Sequence, residues 1–102
     1  MGLRAVLESE TGKPLESADD PTNVLHRLLP SPEDPGFRYL GDIDWYGDTV
    51  FNNLQAAKFL EEWRRIARGA SGVEETALMA AIERMAERVA KGHHVYLKFY
   101  GD

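Results

Sequence analysis

The sequence contains no cysteine, and this absence removes several classes of protein at once. Without thiols the chain can form no disulfide framework, no thiolate zinc site and no cysteine nucleophile, so its stability must come from packing. Also missing is any run of about 18 uninterrupted apolar residues, the minimum for a membrane-spanning helix. The stretch 1–10 is too charged for a secretory signal. We therefore expect a cytoplasmic protein with no membrane partner.

Positive charge is scarce in the first half of the chain. Residues 1–50 carry four Lys or Arg against ten Asp or Glu, whereas residues 51–102 carry eight against seven. The net charge of −5 is thus concentrated toward the N-terminus. An acidic protein is repelled by a phosphate backbone, so nucleic acid is not an expected partner. A basic protein surface or a cationic ligand is a more favourable one.

The length of 102 residues suits one hydrophobic core and leaves no room for a second. With 43% hydrophobic and 28% charged residues, the composition is typical of a globular protein rather than a disordered one. We therefore expect a single α+β domain over residues 1–102.

Alternation of apolar and polar residues predicts the strands of this domain. Residues 3–9 and 14–17 form a predicted hairpin around a turn in which Gly12 can take a positive φ. Residues 37–45 predict a third strand, and Val95–Tyr100 predicts a fourth with strong β propensity. Because so apolar a strand would invite aggregation at an exposed edge, we expect this last strand in the centre of the sheet.

Capping residues predict three helices. A short one starts at Asp20-Pro21 and stops at Pro30, a long one runs from the cap Asn52 to Arg68, and a second long one closes at Lys91-Gly92. Apolar residues three or four positions apart mark their core faces: Leu54, Phe59, Leu60, Trp63 and Ile66 on the first long helix, and Leu78, Ile82, Met85 and Val89 on the second. The predicted fold is a four-stranded, mostly antiparallel sheet with helices packed on one face, in the order β-β-α-β-α-α-β.

The densest polar group is formed by Asp42, Asp44 and Asp48. On an extended strand Asp42 and Asp44 would point to the same side, within reach of one hard cation. An EF-hand loop is excluded, because Tyr46 and Asn53 stand where that loop needs ligands. A looser magnesium or calcium site remains as the alternative to a polar turn, which is the interpretation we favour.

Catalytic signals are weak elsewhere. None of the serines lies in a G-x-S-x-G elbow. His93 and His94 are adjacent, so a strand would send their rings to opposite faces, and His26 is expected to make a local hydrogen bond with Asp20 or Glu33. The sequence therefore predicts no catalytic residue and no cofactor.

The strongest indication of binding is a face of the last strand. Tyr96, Lys98 and Tyr100 share the side opposite the apolar residues of that strand, and aromatic side chains around a lysine are typical of protein contact surfaces. The alternative is that Lys98 only makes an exposed face soluble. Trp45 and Tyr46, which could stack against a ligand, complete the candidate binding residues.

Two segments, Tyr46–Gln55 (YGDTVFNNLQ) and Val95–Asp102 (VYLKFYGD), resemble a group of small uncharacterised bacterial proteins with a YGDTVFNxLQ-like segment. The resemblance covers about a fifth of the chain. It implies a bacterial, cytoplasmic setting. Because the group has no activity that can be transferred, the resemblance assigns no functional residue.

From these observations we expect a non-enzymatic protein-binding module. Such a module would be an acidic partner of a basic protein, in the manner of inhibitor or immunity proteins, or a self-associating subunit. The rival hypothesis is a small metal-assisted hydrolase in which Asp42 and Asp44 hold the metal, a histidine serves as ligand or base, and Trp45 or Tyr46 stacks the substrate.

Overall fold

The computed structural model describes residues 2–101, which form four β-strands and four helices. The strands are β1 (Arg4–Ser9), β2 (Pro14–Asp19), β3 (Asp48–Phe51) and β4 (Val95–Tyr100). The helices are α1 (Val24–Leu28), α2 (Arg38–Gly41), α3 (Asn53–Ala67) and α4 (Gly72–Lys91). Met1 and Asp102, which the predicted domain and the C-terminal resemblance segment include, lie outside the described residues.

The sheet is antiparallel throughout, with the strand order β2-β1-β4-β3. The predicted hairpin is formed by β1 and β2, with Gly12 at φ 86° in the turn between them. The central position predicted for the last strand is confirmed, because β4 pairs with β1 on one side and β3 on the other. The two long helices cover one sheet face, as the sequence predicted.

The strand predicted at residues 37–45 is wrong. Part of this segment forms α2, and the third strand is β3, which begins only at Asp48, after the predicted segment has ended. The reason is a tertiary contact: the Glu62 carboxylate on α3 accepts hydrogen bonds from the backbone N–H groups of Tyr39 and Leu40, each at 3.0 Å, and thereby caps the start of α2. The Arg65 guanidinium also lies 4.2 Å from the centre of the Phe37 ring.

Asp20 caps α1, but in a different way from that predicted. Its buried carboxylate accepts hydrogen bonds from the N–H groups of Val24 at 2.7 Å and Leu25 at 2.8 Å. The helix therefore begins three residues after Pro21, which was predicted as its first residue. Asn23, just before the helix, takes the left-handed conformation with φ 57°, which asparagine tolerates better than most residues.

The capping box of α3 is confirmed. Asn52 accepts a hydrogen bond from the N–H of Gln55, and the Gln55 side chain accepts one from the N–H of Asn52, both at 2.9 Å. Leu54, predicted to face the core, is 77% exposed. Since successive helical residues turn by about 100°, Leu54 lies about 200° from the buried Ala56 and so points away from the sheet.

An aromatic cluster joins these helices to the sheet. Phe59 and Trp63 of α3 stack at 5.2 Å, and both lie next to Phe99 of β4 at centroid distances of 5.8 and 6.3 Å. The indole N–H of Trp63 donates a buried hydrogen bond of 3.0 Å to the backbone oxygen of Met79, which ties α3 to α4. The predicted core stripe of α4 is buried at Ile82, Met85 and Val89 and half-buried at Leu78.

The end of α4 differs in detail from the prediction. Gly92 follows the last helical residue, as expected, but its φ is −98° rather than positive. A Cβ atom at this position would lie 2.9 Å from the Arg88 carbonyl oxygen and 2.9 Å from a Val95 methyl group, so close packing explains the glycine. The left-handed residue is instead His94, at φ 62°. Among residues 2–101, none of the helices is both long and apolar enough to span a bilayer.

The α3 capping box can be tested with Asn52→Ala. Loss of the side-chain acceptor leaves backbone N–H groups unpaired at the helix start, so we expect the free energy of unfolding to fall by about 1 kcal/mol in urea denaturation. Asn53→Ala is the matched control, since it removes the same side chain one residue later, inside the helix, and should cost little. Equal stability losses in the two variants would contradict the capping role.

Candidate functional site

The sheet face opposite α3 and α4 holds the candidate site. Strand register places on it Arg4, Val6, Glu8, Ser17, Asp19, Asp48, Val50, Tyr96, Lys98 and Tyr100, which together we call the open face. The core cluster, in contrast, includes Leu7, Leu97 and Phe99 from the other side of the same strands. The structure therefore brings together the three predicted binding residues of β4.

A charged group organises the middle of the open face. The Lys98 ammonium lies 3.0 Å from one carboxylate oxygen of Glu8, and the Tyr100 hydroxyl donates a hydrogen bond to the other. Glu8 is only 5% exposed, although it is charged. Beside it, Val6 is 1% exposed, so the side chains on the open face pack against one another around this residue. The carboxylate of Glu8, the ammonium of Lys98 and the hydroxyl of Tyr100 thus form a fixed group, which we call the Glu8 unit.

The contacts within this unit change all three pKa values. Burial by itself would raise the pKa of Glu8, but the hydrogen bond from Tyr100 and the charge of Lys98 outweigh it, so this pKa lies below its ordinary value of 4.5. Interaction with Glu8 raises the pKa of Lys98 above 10.5 and that of Tyr100 above 10.0. At neutral pH the unit therefore holds a carboxylate, an ammonium and a neutral phenol. None of these is a nucleophile or a general acid poised near pH 7.

Apolar surface flanks this polar unit. Val50 of β3 lies directly across from Lys98 in the register and is 47% exposed. Tyr96 lies two residues before Lys98 on β4, on the same face of the sheet, and is half-buried. β3 pairs only with β4, so its outer edge is also unpaired within the described sheet. The open face therefore combines a rigid polar centre with partly exposed apolar groups, a composition suited to contact.

Trp45 and Tyr46 are not part of the open face. They lie in the loop before β3, and this loop is attached to the end of β4 by a 2.8 Å hydrogen bond from the Gly101 N–H to the Gly47 oxygen. Both residues line a cavity of about 490 Å³, together with Asn23, His26, Leu29 and Pro30. The candidate binding residues thus fall into two neighbouring places, the open face and this cavity.

His26 has a different environment from the one predicted. Its ring meets the Trp45 indole edge to face, with centroids 5.6 Å apart and planes at 76°. Residue spacing does not predict this contact, because His26 lies on α1 and Trp45 lies in the loop before β3, and only tertiary packing brings the two side chains together. The local sequence indicates only the turn before α1, because Asn23 takes the left-handed conformation in which asparagine is enriched.

The predicted aspartate pair loses its geometric basis, because Asp42 and Asp44 do not lie on a strand. Asp42 directly follows α2. The Asp44 carboxylate accepts a 2.9 Å hydrogen bond from the Tyr46 N–H, and its own N–H donates one of 2.8 Å to the Thr49 hydroxyl. Asp44, rather than Asp48, therefore makes the local turn contact. Within residues 2–101, the structure has no group of three or more His, Asp or Glu side chains placed to hold a metal ion.

Two of the histidines are also far from these aspartates. His93 and His94 precede β4 instead of belonging to it, and His94 Nδ1 lies 2.7 Å from a carboxylate oxygen of Glu10. The loop of Asp44 contacts the opposite end of β4, at Gly101. Six strand residues span about 20 Å, so neither histidine can share a ligand with that loop.

Comparison with known proteins gives no further assignment: the chain matches no protein-family model, no curated protein and no solved structure. The resemblance stated for the segments 46–55 and 95–102 therefore stays a prediction.

The Glu8 unit predicts how stability depends on pH. A lowered pKa for Glu8 means that its contribution is present above the ordinary carboxylate range and is lost as pH falls through the lowered value. The raised pKa values of Lys98 and Tyr100 mean that their contributions are lost only as pH rises through them. In urea denaturation, Glu8→Gln should therefore cost about 1 to 3 kcal/mol at neutral pH, and the difference from wild type should shrink in acid.

Glu61→Gln is the matched control for this series, because Glu61 is an exposed carboxylate on α3. Its stability should follow that of the wild type across the pH range. A Glu8→Gln penalty that stays constant down to about pH 3, below the ordinary carboxylate range, would contradict the charge-based role of Glu8.

A second prediction concerns metal binding. Because Asp44 is held in a turn contact, Asp42 directly follows α2 and two histidines lie at the far end of β4, magnesium, manganese, calcium or zinc should not raise the melting temperature of the EDTA-treated protein. A metal ion present at about 100 times its dissociation constant would raise the free energy of unfolding by about 2.7 kcal/mol. Thermal unfolding detects a change of this size readily. A rise that Asp44→Asn abolishes would restore the metal-site hypothesis.

Proposed function

We propose that this protein is a non-enzymatic protein-binding module and that its open face binds a second copy of the same chain. The observation that carries this proposal is an uncovered sheet face with a fixed polar centre and exposed apolar flanks. Tyr96 and Val50 supply the apolar area, and the Glu8 unit keeps Lys98 in one position before contact. Preorganised side chains lose little entropy on binding, which favours a contact surface.

Charge supports a second copy as the occupant. The whole chain carries −5, so two copies repel each other on most approaches. The open face is nearly balanced, because Arg4 and Lys98 stand against three carboxylates from Glu8, Asp19 and Asp48. Two copies can therefore approach through this face with far less repulsion than elsewhere, and cations of one can meet carboxylates of the other across a two-fold axis.

The size of the face sets the expected affinity. Three strands of six residues and one of four, spaced about 4.8 Å apart, cover about 360 Å². A stable interface buries about 800 Å² on each partner. The open face alone therefore supports a weak dimer, with a dissociation constant between about 10 µM and 1 mM.

The acidic first half of the chain favours a basic protein as an alternative occupant of the same face, in the manner of an inhibitor. The metal-assisted hydrolase has less support, because the described residues contain no group of three or more His, Asp or Glu side chains placed to hold a metal ion. The bacterial, cytoplasmic setting implied by the sequence resemblance is kept as part of the proposal.

Self-association through the open face predicts a concentration-dependent molecular mass. In sedimentation equilibrium between about 10 µM and 1 mM, the range of affinity expected for a small interface, the wild type should shift from monomer toward dimer. Val50→Lys and Tyr96→Lys each replace apolar contact area with a charged side chain that would have to be buried in the dimer, and each should keep the protein monomeric. Both residues are accessible, so folding should be retained and can be checked by circular dichroism.

Val73→Lys is the matched control. Val73 is 86% exposed at the start of α4, away from the open face, and the substitution adds the same charge. Its self-association should equal that of the wild type. A wild type that stays monomeric at the highest concentration, or a dimer that Val50→Lys leaves intact, would contradict a second copy as the occupant.

A further inference from the structure

The cavity beside β4 is a second feature that the open face does not explain. Its volume of about 490 Å³ falls in the range of small-molecule sites. Three aromatic side chains line it, and two of them, His26 and Trp45, meet edge to face. The third, Tyr46, is 77% exposed, so the cavity opens to solvent beside an accessible phenol ring.

Two carboxylates lie beside residues that line the cavity. The Asp44 carboxylate is hydrogen-bonded to the backbone of Tyr46, and the Glu33 carboxylate accepts a hydrogen bond from the hydroxyl of Ser31, another lining residue. Among the residues that the structure describes, the lining contains no lysine or arginine and no aspartate or glutamate. Arg27, next to His26 in sequence, forms an ion pair with Glu75 of α4. The carboxylates of Asp44 and Glu33 therefore lie beside the cavity, bonded to residues of its lining, and not in the lining itself.

An anion is disfavoured for a further reason. The cavity lies at the start of α1, where free backbone N–H groups could attract negative charge. Those of Val24 and Leu25 are already occupied by the two oxygens of the Asp20 carboxylate. The helix start thus offers no empty donor pair, and an anion would be repelled by Asp20 as well.

We propose that this cavity binds a cationic group of the alkylammonium or guanidinium type. The faces of indole and phenol rings carry partial negative charge and attract such cations. Trp45 and Tyr46 supply these faces, and the Asp44 and Glu33 carboxylates raise the local concentration of cations. Leu29 and Pro30 provide apolar surface for the alkyl chain that carries the charge. The cation can be a free amine or the side chain of a lysine or arginine on another protein.

A series of ligands of equal size tests the proposal. Butylammonium, butylguanidinium, butanol and butyrate share a four-carbon chain and differ in charge. Their binding can be followed by the indole N–H signals in two-dimensional NMR at about pH 8, where a histidine side chain is ordinarily neutral. The Trp45 signal should respond, and the Trp63 signal, whose N–H is bonded to Met79 inside the core, should not. Cations should bind about 2- to 30-fold more tightly than butanol, and butyrate most weakly.

Variants identify the groups responsible. Tyr46→Ala, at an accessible position that folding does not depend on, should weaken butylammonium binding about 2- to 5-fold. Trp45→Leu should weaken it at least as much, judged from the shifts of backbone signals around the cavity. Asp44→Asn and Glu33→Gln should reduce the preference for butylammonium over butanol, while the control Glu61→Gln leaves it unchanged.

Two blocked tripeptides distinguish a protein side chain from a free amine as the source of the cation. Binding of acetyl-Gly-Lys-Gly-amide is compared with binding of acetyl-Gly-Gln-Gly-amide. Binding of the lysine peptide alone assigns the cavity to protein side chains, and binding of butylammonium alone assigns it to free amines. Either result supports the proposal. Equal affinity for butanol and butylammonium, or no response at Trp45 to any cation, would overturn it. Because Val50→Lys and Tyr96→Lys do not alter the cavity lining, failure of the dimer proposal leaves this test intact.

Discussion

Packing of Phe99 against Phe59 and Trp63 is the interaction on which the rest of the structure depends. It fixes the apolar side of β4 to α3, and the Trp63 hydrogen bond to Met79 brings α4 into the same layer. Because side chains alternate along a strand, this packing leaves Tyr96, Lys98 and Tyr100 on the opposite side. The open face is therefore a direct consequence of how the core is built.

Much of this arrangement could be predicted from periodicity and capping. The β1–β2 hairpin, the Asn52 capping box and the central β4 follow from residues close together in sequence, where local energetics decide the conformation. The segment 37–45 could not be predicted in this way, because its alternating pattern suggests a strand, whereas the Glu62 carboxylate, some twenty residues away, stabilises a helix. Leu54 was misassigned because one apolar residue at a helix start does not fix the direction of the core face.

In the candidate sites, too, some features follow from local sequence and others depend on tertiary contacts. Tyr96, Lys98 and Tyr100 share a face by strand periodicity alone, so their grouping was accessible from sequence. The contact of these residues with Glu8 could not be predicted, because the pairing of β1 with β4 joins residues at opposite ends of the chain. The cavity of His26 and Trp45 depends on α1 packing against the loop before β3, and no periodic pattern in either segment predicts that contact. Where a loop is positioned by tertiary contacts, residue spacing carries no information about what it faces.

The central claim is that the open face is exposed in the monomer and becomes covered when the protein binds a second copy. A soluble paramagnetic probe measures this directly through the relaxation of side-chain signals in NMR. At low protein concentration, the Val50 methyl groups and the Tyr96 ring should relax strongly, as should the Val73 methyl groups on the far side. At high concentration, protection should develop at Val50 and Tyr96 and not at Val73. Protection confined to the helical side, or none on either side, would contradict the account.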